Sequence, residues 1–290
     1  MELDRFASPS WIRPVTKLGL IAGGGGLPMA LVEQCLGAGR PFYVIRLKGF
    51  ADPSLSAFDG GEVGLGEFKK CFDLLRAAGC EAVCFAGKVN RPDFSALKLD
   101  RRGLAILPGA LIAARKGEDS ILRFIISQFE QEGFTVEGAH EVSGGLALGK
   151  GPLGRLKPQQ SDLDDMALGF DIAGKIGLLD IGQGVVVCRG LVLAVEAQEG
   201  TDAMLARCAQ LPQALRGQPA HPAGVLVKRC KPGQEQRVDL PTIGVDTIRG
   251  AARAGLAGVV GEAGRTLIVE QAAVIETADK LGLFVVGYED

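Results

Sequence analysis

Short apolar runs and helix-like segments alternate along the first half of the chain. Apolar runs of strand length stand at 17–22, 42–47, 81–86 and 134–137. Four segments between them show the spacing of a helix that covers a core, at 27–39, 67–78, 104–116 and 119–132. The last of these is predicted to be capped by Asp119 or Ser120. Strands that alternate with helices favour a parallel, doubly wound sheet.

The pattern is interrupted at 143–160, which is rich in Gly, Pro and Lys and has no clear periodicity. We interpret this segment as an inter-domain linker and predict a tail over 1–16, one domain over 17–148 and a second over 149–290. Beyond it, Arg189-Gly190 separates two apolar runs and predicts a hairpin. Further strands and helices follow, among them a helix over 201–209 with Thr201 as its N-cap.

Glycine is abundant, at 42 of 290 residues, and its first cluster follows the first predicted strand. The turn at 23–26 precedes a helix, a context that favours an anion such as phosphate. It lacks the third glycine of the dinucleotide fingerprint, and the second strand ends at Arg46-Leu47-Lys48 without the expected acid, so an NAD dehydrogenase is disfavoured. A turn that only packs the strand on the helix remains an alternative. Gly144, Gly149 and Lys150 resemble a P-loop without its hydroxyl residue.

Charge and cysteine content narrow the class of protein. A net charge of −2 gives no general surface for polyanions, so we expect no nucleic-acid partner. Seven cysteines without a Cys-x-x-Cys pair predict buried, reduced thiols and a cytoplasmic protein. The sequence contains no apolar run of the ~18–20 residues that a membrane span requires and no evident basic amphipathic helix. The mean hydropathy of +0.21 leaves room for an apolar binding surface.

Candidate chemistry rests on carboxylates and cations, because the chain has only two histidines. Asp202 and Asp246 stand at predicted helix starts, where a carboxylate is often only a cap. Three further acids, Asp162, Asp164 and Asp165, are predicted to precede a helix, and they too could serve only as helix caps. Asp239 differs, because its loop also carries Arg237 and follows two lysines; such a loop suits Mg²⁺ and phosphate together.

A second set of polar residues follows the strand at 81–86, at the end where open α/β sheets hold ligands. It includes Lys88, Asn90, Arg91 and Asp93. Together with the Asp239 loop, these residues predict a phosphate-bearing ligand between the two domains.

Several long motifs carry a resemblance to a known family. They are LGLIAGGGGLP (18–28), GKVNRPDF (87–94), LDIGQGVVV (179–187), VLAVEAQEGTDAML (192–205), GVLVK (224–228) and KPGQEQRVDLPTIGVDTI (231–248). Over roughly 17–290 the chain resembles the UDP-2,3-diacylglucosamine pyrophosphatases of lipid A biosynthesis, of the metal-dependent type unrelated to calcineurin-like phosphoesterases. The resemblance implies a Rossmann-like N-terminal domain, a distinct C-terminal α/β domain and a site in the cleft between them.

The resemblance also implies an activity. Such enzymes hydrolyse UDP-2,3-diacylglucosamine to UMP and 2,3-diacylglucosamine 1-phosphate (lipid X) with Mg²⁺, for which Mn²⁺ is a possible substitute. It implies that Asp239 is the catalytic and metal-binding residue. We predict that the substrate is bound by Gly24, Gly25, Gly26, Leu27, Lys88, Asn90, Thr201, Asp202, Lys228 and Arg237.

The lipid-linked substrate predicts a peripheral protein at the cytoplasmic face of the inner membrane, in transient contact with the membrane surface. A homodimer is possible. Two alternatives stay open: a hydrolase or transferase of a water-soluble nucleotide sugar, and a non-catalytic protein that binds a nucleotide lipid.

Overall fold

A computed structural model describes residues 16–89 and 93–289. All but the last residue of the predicted tail therefore lies outside the described residues. The chain divides into two compact units. The first contains the described residues up to Ile112 together with Phe124–Glu137, and the second contains Ala113–Arg123 and the described residues from Gly138 onward.

The first unit is built on a five-stranded sheet in the order β3-β2-β1-β4-β5, with every pairing parallel. Its strands are β1 (Leu18–Ala22), β2 (Phe42–Leu47), β3 (Gly60–Val63), β4 (Ala82–Ala86) and β5 (Thr135–Glu137). The central strand β1 is buried along its whole length, as a strand covered on both faces must be. This strand order is that of a Rossmann-like sheet, so the predicted fold of this domain is confirmed.

Four helices accompany this sheet in sequence: α1 (Leu27–Gly37), α2 (Phe68–Ala77), α3 (Arg101–Ala114) and α4 (Glu118–Gln131). The helix α1 follows the glycine turn directly, and Pro28 lies in its first turn, where a missing N–H costs nothing. A cluster of rings joins α2, α4 and β4: Phe129 lies edge-on to Phe72 and Phe85, with centroids 5.0 and 4.9 Å apart.

The second unit is built on a six-stranded mixed sheet in the order β6-β13-β11-β9-β7-β8. Its strands are β6 (Gly151–Leu153), β7 (Gly184–Cys188), β8 (Leu191–Val195), β9 (Val225–Lys228), β11 (Gly258–Glu262) and β13 (Phe284–Tyr288). The strands β9, β11 and β13 are parallel to one another, and the outer strands pair antiparallel. A separate parallel pair joins β10 (Thr242–Ile243) to β12 (Leu267–Ile268).

Helices cover both faces of this sheet. The helices of the unit are α5 (Ala139–Val142), α6 (Gln160–Leu178), α7 (Gly200–Cys208), α8 (Val245–Arg253) and α9 (Gln271–Leu281). Alternate residues of the strands face opposite sides: Val185 and Val227 pack with Phe170 of α6, whereas Val186 and Leu226 pack in the core with α7, α8 and α9. The prediction of a distinct C-terminal α/β domain is confirmed.

Part of the segment at 143–160 is not the linker that its composition predicts. Leu148 is 2% exposed and belongs to the core of the second unit. Its N–H donates to the carbonyl of Thr266 at 2.8 Å, and β6 pairs with β13. A composition rich in Gly and Pro does not predict a strand, but edge strands tolerate both residues, and β6 is an edge strand. Lys150 pairs with Glu289 at 2.6 Å on the surface.

Several predicted element starts are corrected. The helix α7 begins at Gly200, so Thr201 is not its N-cap but a buried residue inside it. Asp165 lies inside α6, and its carboxylate accepts from the N–H groups of Arg189 (2.8 Å) and Gly190 (2.7 Å). Asp162 and Asp164 also lie inside α6 rather than before it.

The predicted hairpin is confirmed as β7 and β8. Arg189 and Gly190, which connect them, both have positive φ, of 52° and 76°, as a two-residue turn of this kind requires.

All seven cysteines are buried and none is in a disulfide, which confirms the prediction that they are buried. Within 16–89 and 93–289, the longest apolar helices fall short of what crossing a membrane requires.

Candidate functional site

One edge of the mixed sheet gathers polar side chains. The strand β9 ends at Lys228 and β11 at Glu262. Because β7 runs antiparallel to β9, its first residue Gly184 lies opposite Lys228. Glu196 directly follows β8, and its N–H donates to the carbonyl of Gly184 at 2.8 Å. A lysine and two glutamates, Lys228, Glu262 and Glu196, therefore lie at the carboxyl ends of the parallel strands.

A buried chain of hydrogen bonds links three of these elements. Lys228 is 5% exposed, and its Nζ donates to Oγ1 of Thr201 and to the carbonyl of Thr242, both at 3.0 Å. The Thr201 hydroxyl in turn donates to Oε1 of Glu196 at 2.7 Å. We call Lys228, Thr201 and Glu196 the buried relay. The structure thus brings together two predicted substrate-binding residues and adds a carboxylate.

The second oxygen of Glu196 is buried, and no described group forms a hydrogen bond with it. A Cβ at Gly184 would lie 2.4 Å from this oxygen, and a Cβ at Gly182 would lie 2.0 Å from the carbonyl of Glu196. These two glycines of the 179–187 motif therefore leave the space that the glutamate occupies.

Asp239 lies in the loop after β9, directly after a turn at 236–238, and is partly buried. Its N–H donates to the carbonyl of Glu235 at 3.2 Å, and Nε2 of Gln234 donates to its Oδ2. Burial raises the pKa of the Asp239 carboxyl above its ordinary value, and the charge of Asp119 adds to that effect. The bond from Gln234 and the charges of Lys231 and Lys228 oppose the rise.

Gln234 and Lys231 fix the loop that carries Asp239. Oε1 of Gln234 accepts from the Lys231 N–H at 2.9 Å, and Nζ of Lys231 lies 2.8 Å from Oδ1 of Asp180. Both residues are buried. Cys230 packs beside them, and burial raises the pKa of its thiol to about 11, so it is no nucleophile at neutral pH.

A second support reaches the same loop from the start of α4, at residues that belong to the second unit. The carboxylate of Asp119 accepts from the Glu235 N–H at 2.8 Å and from Nε of Arg123 at 2.6 Å. Arg237, a predicted phosphate partner, lies on the other side of Glu235 and donates to both of its oxygens at 2.9 and 3.0 Å. The hydrogen bonds from Arg237 lower the pKa of the Glu235 carboxyl, and they outweigh burial, which would raise it.

The glycine turn of the first unit is joined to the loop after β4. Gly24 and Lys88 exchange two backbone hydrogen bonds of 2.8 Å. A Cβ at Gly23 would lie 2.7 Å from the Lys88 carbonyl. These contacts give part of the turn a packing role, which was the alternative to ligand binding.

Gly25 and Gly26 are exposed, and Leu27 begins α1. Asp202 is exposed in the first turn of α7. Asn90 and Arg91 lie outside the described residues. The assignment of Gly25, Gly26, Leu27, Asn90 and Asp202 to substrate binding stays a prediction.

Comparison with known proteins identifies the family. A model described as LpxI N-terminal domain matches residues 17–146, and one described as LpxI C-terminal domain matches residues 149–286. The chain belongs to the LpxI family. A relative from Caulobacter vibrioides, named UDP-2,3-diacylglucosamine pyrophosphatase LpxI, is 61% identical over 273 residues, which cover 94% of this chain and 98% of the relative. The family predicted from the motifs is confirmed.

A solved structure of N5-carboxyaminoimidazole ribonucleotide synthetase from Thermotoga maritima also matches. It covers 63% of this chain and 42% of its own, at 15% identity and a TM-score of 0.21. A likeness this low carries no argument about the LpxI chain.

The side chains that could hold Mg²⁺ in this LpxI chain are few. The described residues contain no group of three or more His, Cys, Asp or Glu side chains placed to hold a metal ion. Magnesium is often held by one or two carboxylates plus substrate phosphates. The anion of Asp239 is disfavoured by burial and by Asp119, so a cation there would relieve both penalties. A single carboxylate such as Asp239 is therefore compatible with a Mg²⁺ ion of this kind.

Sequence reasoning did not include Gln234, Asp119 and Glu196 among the site residues of this LpxI chain. Gln234 and Glu196 lie within the matching motifs, and their place beside Asp239 and Lys228 could have drawn attention to them. Asp119 meets Glu235 across 116 positions of sequence, and no local pattern signals that contact.

Proposed function

We propose that this protein hydrolyses the pyrophosphate bond of UDP-2,3-diacylglucosamine and releases UMP and 2,3-diacylglucosamine 1-phosphate (lipid X). The observation that carries the proposal is the 61% identity, over nearly the whole of both chains, to a relative named for this activity. The surroundings of Asp239 support it, since a buried carboxylate beside lysines is suited to phosphoryl chemistry.

In the proposed reaction, the oxygen of a water molecule forms a bond to one phosphorus, and the bridging P–O bond breaks. Asp239 accepts a proton from that water or holds Mg²⁺. A raised pKa suits the first role, because a carboxylate of higher pKa is a stronger base near neutral pH. Gln234 orients the carboxylate through its bond to Oδ2. When bound, Mg²⁺ or Mn²⁺ would neutralise charge on the pyrophosphate oxygens.

Lys228 and Arg237 supply positive charge for the phosphates in this proposal. The buried relay holds Lys228 in one place, so the enzyme does not have to order a flexible side chain when substrate binds. Glu235 holds Arg237 in the same way. The proposal also includes a pyrophosphate held between the two domains. It includes the remaining predicted substrate contacts, at Gly24, Gly25, Gly26, Leu27, Lys88, Asn90, Thr201 and Asp202. A cytoplasmic location at the inner membrane and a homodimer belong to it as well.

The experiment measures UMP release from UDP-2,3-diacylglucosamine with Mg²⁺, with Mn²⁺ and with EDTA. We expect release with either metal ion and little with EDTA. UMP release unaffected by EDTA would overturn the metal requirement. Hydrolysis of water-soluble UDP-sugars alone would assign a different enzyme, and tight binding without UMP release would assign a carrier.

Replacement of Asp239 gives the sharpest test of the site. We expect Asp239→Asn to lower kcat by about 10²–10⁴-fold, the usual contribution of a group that acts on a proton or a metal-bound oxygen. Asp246→Asn is the matched control, because its side chain is 87% exposed seven residues further along the chain. Near-normal turnover by Asp239→Asn, with circular dichroism as in the parent protein, would contradict the assignment.

A further inference from the structure

The helix α3 is apolar on every side. Its sequence, RRGLAILPGALIAA, has polar side chains only at Arg101 and Arg102. A helix that is apolar all round is normally enclosed by protein or lipid. Because both faces of α3 are apolar in sequence, the pattern of polar and apolar residues does not predict an amphipathic helix.

One face of α3 is packed closely within the first unit. A Cβ at Gly103 would lie 2.0 Å from the carbonyl of Gly66, and a Cβ at Gly109 would lie 2.5 Å from the ring of Phe124. Ile106 and Ala110 on this face are buried. The small residues bring the helix close to its neighbours, which fixes the orientation of the opposite face.

The opposite face exposes large apolar side chains. Leu104 is 63% exposed, Ile112 59% and Leu111 40%, and Pro108 between them is also exposed. Their spacing of four, three and one residues places them on a single stripe. We call Leu104, Pro108, Leu111 and Ile112 the apolar stripe.

Positive charge frames the apolar stripe. Arg101 precedes it, Arg115 and Lys116 follow it, and the sequence from 101 to 117 contains no Asp or Glu. The flanking Asp100 is engaged with the N–H groups of Lys70 and Gly103. Arg102 pairs with Glu132 at 2.9 Å and is not counted among these flanking cations.

We infer that the apolar stripe and its flanking cations form a docking surface for an anionic lipid bilayer. The apolar side chains enter the boundary between headgroups and acyl chains, and Arg101, Arg115 and Lys116 meet the lipid phosphates. This inference deepens the proposed function, because an enzyme that acts on a membrane lipid must reach the bilayer. The charge pattern favours a membrane over a second copy of the chain, which would bring like charges together.

The test is sedimentation of the full chain with substrate-free vesicles of phosphatidylcholine, with and without phosphatidylglycerol. We expect the parent protein to bind the anionic vesicles, more weakly as salt rises. The double variant Leu104→Ser, Ile112→Ser should bind at least about tenfold more weakly. The double variant Arg115→Gln, Lys116→Gln should lose the preference for anionic vesicles.

Leu36→Ser is the matched control, since Leu36 on α1 is 57% exposed in the same unit and should leave binding unchanged. The inference is overturned if the parent protein ignores anionic vesicles or if the Leu104, Ile112 variant binds normally. It is also overturned if light scattering shows that this variant turns a dimer into a monomer. UMP release from substrate in detergent micelles should survive in the variant; vesicle binding without any UMP release by the parent would overturn the proposed function alone.

Discussion

Asp239 is held where its charge is costly, and this has a consequence for stability. Because burial raises its pKa in the folded protein, the unfolded chain releases the proton at a lower pH than the folded one. The charged carboxylate therefore lowers the free energy of unfolding. This loss is absent at pH values below the ordinary pKa of 3.8 and is complete at pH values above the raised pKa of the folded protein. We therefore expect Asp239→Asn to be more stable than the parent at about pH 7 in EDTA, and the difference to shrink as the pH falls and to vanish below about pH 3. Urea unfolding at both pH values measures it; a variant less stable at neutral pH would show that attraction to Lys231 outweighs burial.

Thr201 connects a buried lysine to a buried glutamate through one hydroxyl. Thr201→Val keeps the shape and removes both hydrogen bonds, so we expect a loss of about 1–3 kcal/mol in the free energy of unfolding, together with a lower kcat. Thr201→Ser is the matched control, because it keeps the hydroxyl. Urea unfolding and UMP release measure the two effects. Equal behaviour of the two variants would show that packing, and not the buried relay, requires this threonine.

At the scale of elements, the junction between the turn after β1 and the loop after β4 depends on glycine. Gly87 has φ of +93°, and a Cβ there would lie 2.5 Å from the carbonyl of Gly24. Gly79 has φ of +71° with open space around it. We expect Gly79→Ala to cost about 1–2 kcal/mol from backbone strain alone. Gly87→Ala should cost more, because two backbones must separate; thermal unfolding of both variants checks this. Equal costs would show that the junction yields easily.

The elements that the sequence predicted well are those whose apolar residues are buried continuously. The strands β1, β7 and β9 are examples. The strands β3 (GGEV) and β6 (GPL) were missed, because Gly, Pro and Glu are poor strand formers that here occupy sheet edges. Their pairing is decided by neighbouring strands distant in sequence.

The site shows the same division between local and distant signals. Local context singled out Asp239, because cations and a proline surround it in the sequence. The support from Asp119 depends on the path of the chain and could not be read from either segment alone.

At the scale of the whole molecule, the core of the second unit begins earlier than composition suggests. Leu148 is buried in that core, whereas Leu156 in the same Gly- and Pro-rich segment is 37% exposed. We expect Leu148→Ala to lower the free energy of unfolding by about 2–5 kcal/mol. Leu156→Ala should change it by less than about 0.5 kcal/mol. Urea unfolding followed by circular dichroism distinguishes the two. A tolerant Leu148→Ala would restore the interpretation of this segment as a linker.

The buried cysteines also make the chain a reporter of its own opening. Cys35, Cys71, Cys80 and Cys84 belong to the first unit, and Cys188, Cys208 and Cys230 to the second. A buried thiol of raised pKa, such as Cys71 at about 12, reacts with an alkylating reagent only after the surrounding structure opens. Mass spectrometry of peptides after timed alkylation would therefore record a separate opening rate for each half of the protein, with no label added to it beforehand.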